Sequence, residues 1–133
     1  MLVSEGMSDV VLTVGPTHTL REAAAQMAAK GIGAALVSDD ETPVPSMVTE
    51  RDILLSLGAG EDPDTERVCD HMSDGVIAAA PAWSLERAAA EMSRRGIRHL
   101  AVYDGPELVG VLSMRDIVRV WTSEGATSGM SPD

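Results

Sequence analysis

Leu20, Ala23, Ala24 and Met27 stand at i, i+3, i+4 and i+7, one apolar face of a helix, and Leu85, Ala88, Ala89 and Met92 draw the same stripe again. Polar residues mark the ends of both. Thr19 with Glu22 reads as a capping box, the Thr19 hydroxyl accepting a free N–H while Glu22 reaches back. Gly31 stops the first stripe as a left-handed C-cap, and Ser84 and Gly96 bound the second. Short apolar runs follow at 34–37 and 100–103, then the polar connections Asp39-Asp40-Glu41-Thr42-Pro43 and Asp104-Gly105-Pro106-Glu107. Partner strands at 46–48 and 108–112 run straight into second helices near 50–57 and 114–121. With a strand ahead of each first helix, the order is β-α-β-β-α, twice. That predicts an α/β fold.

The duplication extends beyond the pattern to the letters. Met7-Ser8-Asp9 returns as Met72-Ser73-Asp74, a shift of 72 − 7 = 65. Pro16 then falls on Pro81, Gly31-Ile32 on Gly96-Ile97 and Val37 on Val102. After a one-residue slip, Arg51-Asp52-Ile53 meets Arg115-Asp116-Ile117, with 115 − 51 = 64. An internal repeat fixes architecture before any local assignment. Two repeats, 7–60 and 66–121, are expected about a pseudo-twofold axis, joined by the acidic Gly- and Pro-containing linker 58–65. Residues 122–133 are polar and aperiodic, which predicts a disordered tail.

Composition narrows the function. Each repeat is near the size at which a lone core is marginal, so the two are expected to fold as a pair within 133 residues. Aromatics are 2% with no Phe, so aliphatic residues and eight Met must fill the core. A net charge of −11 argues against a phosphate-backbone binder, and the lack of aromatic platforms against single-strand stacking. Cys69 stands alone, excluding an internal disulfide and a cysteine metal cluster. His18, His71 and His99 show no paired ligand spacing, so no metal site is expected. No signal peptide or membrane-length apolar run is visible, so a soluble cytoplasmic protein is the expectation. Trp83, Trp121 and Tyr103 are assigned to packing.

The recurring polar cluster is Thr49-Glu50-Arg51-Asp52 and Ser113-Met114-Arg115-Asp116, each at a strand-to-helix junction. Two uses fit it. The hydroxyl and the Asp three residues on can simply cap the helix. The same geometry can also hold both hydroxyls of a ribose while free N–H groups meet phosphate oxygens.

The ordered set of these pieces resembles the cystathionine-β-synthase (CBS) domain, twice over. The resemblance rests on Met7-Ser8-Asp9, then Thr19-Leu20 with Ala23-Ala24 and Met27. It continues with Gly96-Ile97-Arg98-His99-Leu100-Ala101-Val102 and Gly110-Val111-Leu112-Ser113-Met114-Arg115-Asp116, and covers about 7–121. Arg51-Asp52-Ile53 with Gly60-Glu61-Asp62-Pro63 is also similar to small stand-alone bacterial CBS-pair proteins of the hypoxic-response type. The resemblance implies one compact Bateman module with two clefts between the repeats. It implies a regulatory ligand containing adenosine, such as AMP, ADP, ATP or S-adenosylmethionine, and no catalytic cofactor. Carried over residue by residue, with the first strand of each repeat at 11–13 and 76–78, cleft A would use Thr49 and Asp52 with Val76, Ile77 and Ala78, and Arg98 and His99 near the phosphates. Cleft B would use Ser113 and Asp116 with Val11, Leu12 and Thr13.

Repeat one has Gly33-Ala34 where repeat two has Arg98-His99, so cleft B lacks the cationic pair and should bind phosphate more weakly. Ser46 stands where repeat two has Gly110. Arg51 and Arg115 are read as surface residues paired with carboxylates. No activated nucleophile or acid/base pair is identifiable, which points away from an enzyme. Family analogy implies a homodimer through the helices and a signal passed to a protein partner that the sequence does not identify. The alternative is an interaction protein with vestigial clefts, dimerising through Ala28, Ala29, Met92, Ile53, Leu54 and Leu57.

Overall fold

The computed structural model describes residues 1–38, 45–73 and 76–127, with the side chains of 124–127 excepted. The connection Asp39-Asp40-Glu41-Thr42-Pro43, Asp74 and positions 128–133 lie outside the described residues. The helices are α1 (Val3–Gly6), α2 (Leu20–Lys30), α3 (Glu50–Gly58), α4 (Leu85–Arg95) and α5 (Met114–Thr127). The strands are β1 (Thr13–Val14), β2 (Ala34–Val37), β3 (Ser46–Thr49), β4 (Ala78–Ala79), β5 (His99–Asp104) and β6 (Glu107–Ser113), and Val68–Asp70 forms a 3-10 turn.

The two repeats build the same small sheet. In one, β1 pairs parallel to β2 and β2 antiparallel to β3; in the other, β4, β5 and β6 repeat that arrangement. The parallel pairs require a crossover, and α2 and α4 supply it. Their ends follow the polar punctuation. Thr19 Oγ1 accepts the Glu22 N–H at 3.1 Å, and Ser84 Oγ accepts the Arg87 N–H at 3.0 Å. Gly31 and Gly96 terminate them at φ 67° and 66°, a conformation that costs an L side chain a Cβ clash.

The chain divides into two compact units. The middle unit is Val10–Val76, and the terminal unit joins Met1–Asp9 to Ile77–Asp133. Each has its own core. Leu20, Met27, Leu36 and Val48 are buried in the middle unit, and Leu85, Met92, Leu100, Leu112 and Ile117 in the terminal one. Met27, Met47 and Met92 lie inside, in the gap-filling role that an aromatic-poor core calls for. Met92 is fully buried and is therefore withdrawn from the interface set.

The units do not coincide with the sequence repeats, because the repeated Met-Ser segment crosses over. Ser8 donates its N–H to the Val111 carbonyl at 2.9 Å and accepts the Val111 N–H at 3.0 Å. Its counterpart Ser73 makes the same two bonds with Met47, at 2.9 and 3.1 Å. Each segment thus covers the open edge of the last strand of the other repeat, satisfying backbone groups that an edge strand would leave exposed. Val3, in the short helix α1 that the apolar pattern did not mark, drops fully into the terminal core.

Two boundaries moved. The first strands sit at Thr13–Val14 and Ala78–Ala79, later than 11–13 and 76–78, because pairing with Leu36 and Ala101 sets their register. Helix α5 runs through Thr122 to Thr127, where a disordered tail was expected. Extending a formed helix costs far less than starting one, and no proline intervenes before Pro132.

Candidate functional site

Strand β3 leads without a loop into α3, and β6 into α5, so Thr49 and Ser113 sit at the first free N–H groups of a helix. Thr49 has extended backbone, and its Oγ1 accepts the Asp52 N–H at 3.3 Å. Asp52 Oδ2 in return accepts the Thr49 N–H at 2.8 Å and the Thr49 hydroxyl at 3.0 Å. The second copy is congruent. Asp116 Oδ2 accepts the Ser113 N–H at 2.9 Å, and Ser113 Oγ accepts the Asp116 N–H at 3.0 Å. In both, the cap engages a single carboxylate oxygen, Oδ2, and both acids are half-buried.

The copies differ at the other oxygen. Arg119 Nη2 donates to Asp116 Oδ1 at 3.2 Å and to the Gly6 carbonyl at 3.3 Å. The position equivalent to Arg119 is 119 − 64 = 55, occupied by Leu55, which has no donor to offer. The sequence reading missed this residue, although Asp116 and Arg119 stand at i, i+3 on one helix, a visible pairing signal.

A second asymmetry lies at the start of each helix. The Glu50 N–H donates to the Gly33 carbonyl at 2.9 Å, and the Met114 N–H to the Arg98 carbonyl at 2.9 Å. Over Gly33, the Glu50 carboxyl group fills the space of a side chain, lying 3.1 Å from where a Cβ would stand. The terminal unit presents the exposed Arg98 at the equivalent place. One junction is therefore acidic and the other basic.

The remaining predicted residues divide between the units. Val11, Leu12, Thr13 and Val76 belong with Thr49 and Asp52 in the middle unit. The Leu12 side chain is buried in the core, while its carbonyl accepts the Leu36 N–H at 2.9 Å and Thr13 is exposed. Ile77, Ala78, Arg98 and His99 belong with Ser113 and Asp116 in the terminal unit. There the Ile77 carbonyl accepts the Ala101 N–H at 3.1 Å, Ala78 is exposed, and His99 pairs directly opposite Ser113. The residues grouped as cleft A, like those of cleft B, come from both units.

One further cluster was not foreseen. Glu61, Glu66 and His71 bring three side-chain donor atoms within 4.8 Å of one another. The histidine spacing examined in the sequence could not show it, because two of the three donors are glutamates.

No helix among the described residues is long and apolar enough to cross a membrane. The CBS domain model matches the chain twice, at residues 3–59 and 68–123. The CBS domain-containing protein YhcV of Bacillus subtilis is 34% identical over 131 residues, 97% of this chain and 92% of that one. Hypoxic response protein 1 of Mycobacterium tuberculosis is 31% identical over 85% of this chain and 80% of its own. An uncharacterized protein of Methanocaldococcus jannaschii is 31% identical over 96% of this chain, which spans only 45% of that relative's length. Among solved structures, a CBS domain protein from Pyrobaculum aerophilum complexed with AMP is 31% identical. It superposes with a TM-score of 0.78, covering 96% of this chain and 99% of that one. With two matches to the CBS domain over its duplicated sheets, the chain belongs to the CBS-domain family.

Proposed function

We propose that the chain is a non-enzymatic regulatory module that binds an adenine nucleotide or a related adenosyl compound, with Asp52 holding the ribose. The observation that carries this reading is the difference between the two acids. Asp52 gives Oδ2 to the helix cap, and the residue three positions on is Leu55; Asp116 has Arg119 on its second oxygen. A ribose diol needs a carboxylate oxygen able to accept, so Asp52 is the better suited acid. Thr49 holds Asp52 in place through the reciprocal cap. The AMP carried by the Pyrobaculum aerophilum relative supports the ligand class.

The test is thermal melting and calorimetry with AMP, ADP, ATP and S-adenosylmethionine. Ligand at 100 times its dissociation constant raises folded-state stability by about 2.7 kcal/mol. Asp52→Ala is expected to abolish that gain and Asp116→Ala to leave it. If none of the four compounds shifts the melt or releases heat, the module does not serve this ligand class.

A second copy of the chain is the partner that the helix surfaces favour. Leu54 and Leu55 of α3 are 67% and 60% exposed, and Val118 of α5 is 53% exposed, large apolar groups that water solvates poorly. Relatives of this fold include a hexameric assembly, the CBS-CP12 protein of bloom-forming cyanobacteria. Sedimentation of the wild type against Leu54→Lys tests self-association, which the substitution is expected to weaken; a monomer in both would remove this partner.

A further inference from the structure

From the geometry of Glu61, Glu66 and His71 we infer a first-row divalent metal site in the middle unit, of the kind that takes Zn2+. His71 Nε2 lies 2.8 Å from Glu66 Oε1 and 4.0 Å from Glu61 Oε1. Donors around a tetrahedral zinc, each about 2.0–2.2 Å from it, stand about 3.4 Å apart. The two distances from His71 bracket that value, and all three donor atoms lie within 4.8 Å of one another.

The donors are also held from behind. The Ser56 hydroxyl, on a residue only 3% exposed, donates to Glu61 Oε1 at 2.9 Å. The Glu61 N–H bonds the Ser56 carbonyl at 3.1 Å, anchoring its backbone to the end of α3. The carbonyl of Glu66 accepts the Leu20 N–H at 2.9 Å, and the His71 N–H bonds the Val68 carbonyl at 3.0 Å. The Ser56 contact orients the Glu61 carboxylate before metal arrives, and the backbone bonds fix the segments that carry Glu66 and His71. His71 has a side chain 16% exposed, so the imidazole is held near the two carboxylates rather than swinging in solvent.

The donor set chooses the class of ion. An imidazole nitrogen with two carboxylates suits zinc or its first-row neighbours, whereas magnesium and calcium favour all-oxygen shells. Three protein ligands leave a fourth position for water. Bound there, the ion would clip the end of α3 to the segment that follows it, because Glu61 and His71 lie on opposite sides of the turn around Asp62–Thr65.

The experiment uses the full chain, stripped with chelator, and titrates Zn2+ by calorimetry, with Mg2+ and Ca2+ as controls. One Zn2+ per chain and a rise in Tm of about 5 °C are expected, with Co2+ giving tetrahedral d–d absorption. His71→Gln and Glu66→Gln should each weaken binding about tenfold or more. Glu61→Gln, an exposed position, supplies the same readout if the other two fail to fold. Cys69→Ser should bind as wild type does. No saturable Zn2+ binding, binding unchanged in the folded Gln variants, or loss of binding in Cys69→Ser would each overturn the site.

Discussion

A methyl group placed on Gly110 would lie 2.7 Å from the Ser8 carbonyl oxygen and 2.9 Å from the Met7 sulfur. Real Cβ atoms do not approach backbone that closely, so the crossing segment of the terminal unit requires glycine at this point of β6. Gly110→Ala is expected to cost about 1–3 kcal/mol. Gly58, the last residue of α3, has open space around it and no positive φ. Gly58→Ala should stabilise by about 0.4–1 kcal/mol. Urea unfolding of the two variants against wild type checks the contrast, and equal effects would contradict it.

The capping role of Asp52 can be separated from its charge. Asp52→Asn keeps an oxygen for the Thr49 N–H, which now sits 2.8 Å from Oδ2, and Asp52→Ala keeps none. The alanine variant should lose about 1 kcal/mol of stability and the asparagine variant less. Denaturant midpoints read the difference directly. Ligand binding, by contrast, should fail in both if a charged acid is what the ribose needs.

Trp83 and Arg87 give a third test. The Arg87 guanidinium carbon lies 3.7 Å from the Trp83 ring centroid, and Trp83 packs on the terminal core. Arg87→Ala should remove about 0.5–1 kcal/mol. Trp83→Ala strips an apolar body as well and should cost more, about 3 kcal/mol. Matching losses in thermal or chemical unfolding would mean that the ring contributes no packing of its own.

Glu91 carries a pH dependence. Hydrogen bonds from Arg95 and then Arg94 hold its carboxyl below the ordinary value of 4.5. A depressed acid in the folded state stabilises above its unfolded pKa, and that contribution disappears as pH falls through the folded value. The stability difference between wild type and Glu91→Gln is therefore present at neutral pH and shrinks in acid, below the ordinary carboxylate range. Unfolding midpoints measured across that range check it; a difference that grows toward acid would reverse the sign. High salt should reduce the effect, because both arginines are solvent-facing.

Helices and caps were readable because they are local. Thr19 with Glu22, Ser84, Gly31 and Gly96 act within one or two turns of chain, and each did what its chemistry demands. The Thr49/Asp52 and Ser113/Asp116 junctions were readable for the same reason. Register was less so: the stretch 11–14 serves a strand equally well at either offset until β2 supplies partners. Arg119 on Asp116 lay within reach of the i, i+3 rule and went unnoticed, while its second partner, the Gly6 carbonyl, is 113 residues away.

What the chain determined by itself was the duplication, the α/β order of each copy and the two capped acids, since all of these rest on neighbours in sequence. Tertiary structure alone decided the exchange of the Met-Ser segments between repeats and the acidic cover of Glu50 over Gly33. Those depend on which distant backbone groups are left unpaired and which side chains then share a space. Short-range pattern carries no information about either.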